Sequence, residues 1–208
     1  MTFKTLTAVL GTLFMASSVW ADDNAREALI ERLEATDSLQ AHFEQTTYAE
    51  GQMRGERSAG RMLVSRPLKF AWLVEEPYEQ QVISDGQTLW VYEPDLMQAT
   101  YQPVTDQIQQ SPAMILAQPR QALSQRYDIV EASDKELTAY RLYPEDPNAL
   151  FSTMTLLFES GVISEIRLTD NLGQDTRISL SEVRVGEPLD STLFDFEPPP
   201  GTDVFEQM

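Results

Sequence analysis

Apolar residues recur along the chain with two different periods. Between residues 23 and 35 they follow helical spacing, which predicts one amphipathic helix because side chains three and four residues apart share a face. The helical positions are Ala25, Leu29, Ile30 and Leu33. From Leu39 onward the period changes to two. Leu39, Ala41 and Phe43 alternate with polar neighbours, and this alternation predicts a half-buried β-strand.

The period of two continues in short runs that are separated by turn residues. Asp85-Gly86, for example, is typical of a hairpin turn. About ten strands joined by short turns favour an antiparallel meander over βαβ units. A further run, 194–197, alternates like an edge strand before three consecutive prolines. The other predicted strands cover residues 39–44, 57–64, 70–74, 81–84, 88–92, 98–104, 127–132, 137–143, 153–158, 163–169 and 176–185.

One segment between the two groups of strands has helical character. Residues 111–124 begin with Pro112 near a first helical position and contain an apolar cluster, and Pro119 divides the segment into two short helices. Together with the N-terminal helix, these pieces can cover the open face of a curved sheet. Because the sequence shows no internal repeat and no low-complexity linker, we expect residues 22–208 to form a single domain.

The N-terminus is typical of a cleavable signal peptide. Lys4 provides a positive charge, residues 6–15 form an apolar core that is short for a membrane span, and Val19 and Ala21 occupy the positions that a signal peptidase reads. An amphipathic helix of the folded domain is the weaker interpretation, because residues 5–16 carry no charge. We therefore expect residues 1–21 to direct export and to be removed.

Composition and charge narrow the range of functions. The chain has no cysteine, which excludes disulfides, thiolate metal sites and attachment of a lipid to a cysteine after the signal. Its formal net charge is −18, so phosphate backbones and anionic lipid headgroups are repelled. We expect no nucleic-acid partner, no adsorption to a membrane surface, and a basic surface on any charged partner.

The sequence offers little for catalysis or for cofactor binding. His42 is the single histidine, no nucleophile motif accompanies it, and no zinc, calcium or nucleotide-binding pattern occurs. The 33 acidic residues leave a glycosidase with two carboxylates open as an alternative. We otherwise expect no enzyme activity, no catalytic residue, no metal and no cofactor.

Large apolar side chains are concentrated on strands that we expect to be adjacent and central, and on the divided helical segment. Two interpretations are open, an ordinary core or a lid over an adaptable apolar cavity. These residues are Phe70, Trp72, Leu89, Trp90 and Tyr92 on the strands and Met114, Ile115 and Leu116 on the helical segment.

Four separated motifs occur in order along most of the chain. They are Arg66-Pro67-x-x-Phe70-x-Trp72, Ser84-Asp85-Gly86-x-Thr88-Leu89-Trp90-x-Tyr92-x-Pro94, Gln98-Ala99-Thr100, and Phe194-x-Phe196-x-Pro198-Pro199-x-Gly201 with Val204. In this combination the chain resembles the outer-membrane lipoprotein carrier family. The resemblance implies a mostly β (α+β) fold, an incomplete antiparallel β-barrel covered by short helices that form a lid over an apolar cavity.

The resemblance also implies a function and a site. A carrier of this family is a monomeric periplasmic chaperone that receives lipoproteins from an ATP-driven inner-membrane release complex and passes them to an outer-membrane receptor. The resemblance implies that Phe70 and Trp72 lie on the sheet side of the cavity and that Arg66 latches the lid through hydrogen bonds. We expect the acyl chains to bind in a cavity formed by the eight apolar residues named above. The alternatives are a binding module of the same fold for another lipid or amphiphile, and the glycosidase.

Overall fold

The computed structural model describes residues 20–104, 112–124 and 126–207. Most of the expected signal peptide and the start of the helical insertion at 111 therefore lie outside the described residues. Within the described ranges the chain forms one twelve-stranded sheet and three α-helices. None of these helices is long and apolar enough to cross a membrane.

The described elements follow the predicted order closely. The helices are α1 Trp20–Glu34, α2 Pro112–Ala117 and α3 Pro119–Leu123. The strands are β1 Ser38–Tyr48, β2 Glu56–Ser65, β3 Lys69–Glu76, β4 Gln80–Ser84, β5 Thr88–Glu93, β6 Gln98–Pro103, β7 Tyr127–Asp134, β8 Leu137–Pro144, β9 Thr153–Glu159, β10 Val162–Thr169, β11 Asp175–Val185 and β12 Asp203–Glu206. Pro119 separates α2 from α3, as the sequence predicts.

Two antiparallel meanders make up the sheet. Strands β1 to β6 form the first and β7 to β11 the second, and the meanders join where β1 pairs with β11. In this central region Phe43 lies opposite Leu180 on one side and Gly60 on the other. The sheet ends at β12 on one edge and at β7 on the other without closing. The expectation of an incomplete barrel is confirmed.

The prediction of an edge strand at 194–197 is wrong. Residues Ser191–Phe194 form a 3₁₀ turn, and the last strand, β12, lies further along the chain and pairs in parallel with β6. The alternation at 194–197 has another cause. Phe194 is buried on the outer face of the sheet beside Ile83, and Phe196 packs on Trp90. The segment thus buries every second side chain without pairing as a strand.

Most of the hydrophobic core lies between the concave face of the sheet and the helices. Leu29 of α1 and Met114 of α2 are fully buried there. The ring of Phe43 on β1 stacks on Trp72 of β3, with ring centroids 4.0 Å apart. A smaller cluster that includes Phe194 covers part of the outer face. The sheet is therefore apolar on both faces near β3 and β4.

Gly60 marks a close approach between two strands. A Cβ atom added at this position would lie 1.9 Å from the carbonyl oxygen of Leu73, at the register shift between β2 and β3. Since the strands would have to move apart, Gly60→Ala should lower the free energy of unfolding by about 2 kcal/mol. Urea denaturation checks this prediction. Ser58→Ala on the same strand is the control, and an equal effect in both variants would contradict it.

Candidate functional site

An apolar cavity of about 510 Å³ lies between the concave face of the sheet and α2. This volume is typical of a site for a small organic ligand. The lining is mainly apolar, with polar groups at one side. The lining residues are Gln45, Phe70, Trp72, Val82, Leu89, Pro112, Ala113, Leu150, Phe151, Leu168, Asp170, Gln174, Thr176 and Ile178.

Strand alternation explains how one wall of the cavity forms. Phe70 and Trp72 are two residues apart on β3 and therefore project from the same face. Trp72 lies directly opposite Val82 of β4, and Ser84 of the same strand lies opposite Leu89 of β5. Cross-strand partners share a face, so three adjacent strands supply a continuous apolar surface.

The structure places three of the predicted site residues on this wall, namely Phe70, Trp72 and Leu89. Phe70 is only 4% exposed, so it belongs to the core and to the cavity wall at once. Trp72 is half-buried because one of its faces stacks on Phe43. Its remaining surface is available to a ligand.

Trp90 and Tyr92 do not line the cavity, and the prediction is corrected for both. Since Leu89 faces inward, Trp90 must face outward under the period of two. The rings of Trp90 and Tyr92 both pack on Phe196, with centroid separations of 5.4 and 5.3 Å, and Trp90 also contacts Tyr101. These aromatic residues hold the C-terminal segment against the outer face of the sheet.

The apolar cluster of α2 is buried in the core and does not line the main cavity. Met114, Ile115 and Leu116 are almost completely buried in the main core. Leu116 borders only a small adjoining void of about 20 Å³. The positions of α2 that face the main cavity are Pro112 and Ala113. The predicted residues therefore fasten the helix, and its first two residues, Pro112 and Ala113, border the cavity.

Arg66 connects the sheet to the end of α1. Its guanidinium donates a hydrogen bond to the carbonyl oxygen of Thr36, in the loop that follows α1. Burial lowers the pKa of Arg66 from its ordinary value, and the nearby carboxylates of Asp37 and Glu34 raise it in part. The helix above the cavity is attached differently, since Leu68 N–H approaches the carbonyl oxygen of Ala117 at 3.5 Å. The expected latch residue thus contacts the loop after α1 and not α2.

The residues that form the opposite wall of the cavity were not predicted from the sequence. Leu168 and Ile178 lie on β10 and β11, and Leu150 and Phe151 lie in the loop between β8 and β9. The inward positions of β10 and β11 follow the period of two and could have been found. The loop residues follow no period. Leu150 is 61% exposed and forms an apolar edge of the opening.

An exposed ionic contact joins α3 to α1. Arg120 Nη2 lies 3.0 Å from a carboxylate oxygen of Glu27 and 3.0 Å from one of Glu34. The hydrogen bonds with these two carboxylates raise the pKa of Arg120. All three groups are accessible to water, so salt should screen the contact.

Arg120→Gln should increase the opening of α3 at low salt and have no effect at high salt. The reason is that the Debye length falls to about 3 Å at 1 M salt, which is the length of the contact itself. Hydrogen exchange of the α3 amides measures the opening. Arg126→Gln, in the loop after α3, is the control. Exchange that responds equally to the substitution at both salt concentrations would contradict the ionic role.

The open sheet, its helical cover and the apolar cavity between them define a protein that binds apolar ligands. The family described as outer membrane lipoprotein carrier protein LolA matches residues 34–197. The chain therefore belongs to the outer-membrane lipoprotein carrier family.

Individual relatives match over nearly the whole chain. An outer-membrane lipoprotein carrier protein of Alcanivorax borkumensis is 35% identical over 98% of this chain and 96% of its own length. The corresponding protein of Chromohalobacter salexigens is 33% identical over 99% and 98%. Among solved structures, an uncharacterized conserved protein from Thermus thermophilus has a TM-score of 0.54 at 13% identity, covering 87% of this chain and 98% of its own. That likeness concerns the fold alone.

Proposed function

We propose that this protein carries lipoproteins through the periplasm by holding their acyl chains in the cavity between the sheet and α2. The observation that supports this function is the apolar cavity of about 510 Å³, with aromatic and aliphatic walls from β3, β4, β5, β10 and β11. Each buried methylene group of an acyl chain contributes about 0.8 kcal/mol. A cavity of this kind therefore makes it possible for a lipid anchor to leave a membrane and cross water.

The position of the cavity makes the helical cover the part that moves during loading. The cavity of about 510 Å³ is bounded on one side by the start of α2 and on the others mainly by the sheet. Arg66 joins the sheet to the loop after α1, and Arg120 joins α3 to α1. These contacts hold α1 and α3 in place in the absence of cargo.

The chain receives its cargo from an ATP-driven inner-membrane release complex, acts as a monomer, and passes the cargo to an outer-membrane receptor. Removal of residues 1–21 leaves the exported carrier free in the periplasm. Binding is non-covalent, and the protein catalyses no bond formation or cleavage.

The glycosidase alternative receives no support from the cavity. Its described lining includes one carboxylate, that of Asp170. Oδ1 of Asp170 accepts hydrogen bonds from the N–H groups of Leu172 and Gln174, which commits it to the β10–β11 turn. Glycoside hydrolysis needs two carboxylates on either side of the scissile bond.

Mass spectrometry of the protein isolated from periplasm, under conditions that keep complexes intact, tests the proposed function. We expect a one-to-one complex with a lipoprotein that carries two or three acyl chains. A complex with a free phospholipid or another amphiphile would instead support the binding module of the same fold. Isolation without any acylated molecule, even when lipoprotein synthesis is raised, would contradict both.

A further inference from the structure

Four arginines form a row across the outer face of the sheet. Arg57 lies opposite Thr46, Thr46 opposite Arg177, and Arg177 opposite Arg167. The series continues through Thr155 to Arg141. Cross-strand partners share a face. These residues form a row that crosses β2, β1, β11, β10, β9 and β8 on the side away from the cavity. We call it the arginine row, and it consists of Arg57, Thr46, Arg177, Arg167, Thr155 and Arg141. Five strand spacings of about 4.8 Å give it a length of about 24 Å.

The centre of the row contains two neighbouring arginines whose mutual repulsion is offset by a buried glutamate. Arg167 and Arg177 lie directly opposite each other, and like charges in this arrangement are destabilising. Glu165 lies between them and forms an ion pair with each. Its side chain is only 6% exposed, whereas those of the two arginines are 58% and 59% exposed. The buried carboxylate fixes both guanidinium groups, and their remaining N–H donors are available to a ligand.

The ends of the row have no partner of their own. Arg57 and Arg141 are exposed, and neither side chain forms an ion pair or hydrogen bond within the described part of the chain. A surface groove of about 570 Å³ is lined by Arg141, Arg167 and Arg177 together with Tyr48. Arginine and tyrosine are enriched in the energetically important parts of protein interfaces. The composition of the groove is therefore that of a binding surface.

The charge of the row differs from that of the whole protein. The chain has a formal net charge of −18 with 15 basic residues in total, and four of these stand in the row. Several carboxylates lie near them. Glu165 is ion-paired with two of the arginines, and Asp175 lines the groove and accepts a hydrogen bond from Thr169. Glu44 and Glu76 border a second groove together with Arg57. An anionic ligand would be attracted to this row and repelled by most of the remaining surface.

We propose that the arginine row is a docking site for an acidic segment of a partner protein. A phosphate-rich membrane surface is the less suitable partner, because a flat anionic surface would also meet the acidic groups around the row, whereas a narrow acidic segment would not. The length of the row matches about 16 residues of helix at 1.5 Å per residue. The groove shares Leu168 and Thr176 with the lining of the cavity, so the docked segment lies across the sheet from one wall of the cavity. This site is independent of the proposed function.

A binding measurement with a defined acidic probe tests the proposal. The probe is a fluorescent helical peptide of about 16 residues with a glutamate at every fourth position, which places its carboxylates about 6 Å apart on one face. Its control replaces each glutamate by glutamine. Phosphatidylcholine vesicles that contain phosphatidylglycerol provide the lipid arm. The full chain is compared with the double variant Arg57→Gln, Arg141→Gln. The matched double variant Arg61→Gln, Arg184→Gln removes the same charge from the same face outside the row.

The expected result is binding of the glutamate peptide by the wild-type chain, weakened about tenfold by the row variant and less than twofold by the control variant. High salt should remove the difference. An equal loss in the two variants, or no binding of the peptide by the wild-type chain, would overturn the proposal. Binding to the anionic vesicles without binding to the peptide would overturn it in favour of a lipid surface.

Discussion

Val82→Glu should prevent loading of lipoprotein while the chain remains folded. Val82 lies on the central strand of the apolar wall, opposite Trp72, and it borders the cavity. Without cargo, water in the cavity can hydrate the new carboxylate. An acyl chain would bury this charge without a partner, which costs more than about 3 kcal/mol. We therefore expect cargo affinity to fall more than a hundredfold.

Release of a radiolabelled lipoprotein from membrane vesicles into solution measures this effect. Gln81→Glu is the matched control, because it places the same carboxylate on the adjacent residue, which faces the other side of the sheet. Circular dichroism and urea denaturation establish that both variants fold. Normal release by folded Val82→Glu protein, or equal defects in the two variants, would show that the cavity is not where cargo binds.

Arg66→Leu should weaken the attachment of α1 to the sheet. The substitution removes a hydrogen bond from a charged donor and leaves the carbonyl oxygen of Thr36 without it. The combined effect should lower the free energy of unfolding by about 3 kcal/mol, which corresponds to a decrease in Tm of about 6–12 °C for a chain of this length. We also expect the variant to change hand-over of cargo more than uptake, because the helical cover must close again after release.

Thermal denaturation, hydrogen exchange of the α1 amides and a lipoprotein transfer assay together test this role. Arg120→Gln is the useful comparison, since it removes an exposed contact of the same cover. Unchanged stability, within about 0.5 kcal/mol of the wild-type value, would exclude Arg66 as a fastening of α1. A loss of stability with unchanged transfer rates would leave Arg66 a structural residue and exclude the latch.

Most of the fold could be predicted from local patterns in the sequence. The period of two identified the strands, and Pro119 correctly divided the helical insertion, because both signals depend on neighbouring residues. The pairing of β1 with β11 has no such signal, since it results from the meeting of two separate meanders. The edge strand at 194–197 was wrong because alternation reports burial and not strand pairing.

The cavity could be predicted only in part. Phe70, Trp72 and Leu89 were found from their strands, but the inclusion of Trp90 and Tyr92 conflicts with the alternation that placed Leu89 inside. The partner of Arg66 is a backbone carbonyl, which every residue has, so composition gives no information about it. The loop residue Leu150 reaches the cavity only through the course of the chain in space.

Photo-cross-linking from the edge of the cavity tests the central claim most directly. Benzoylphenylalanine is placed at Leu150, which borders the cavity and is exposed enough to accept a large side chain, and at Gln81 on the outer face as the control. Illumination in cells should link the Leu150 position, and not the Gln81 position, to lipoprotein through its acyl chains. A lipoprotein that lacks its acylated cysteine should give no product. Equal products from acylated and unacylated cargo would contradict the claim that the cavity holds the acyl chains.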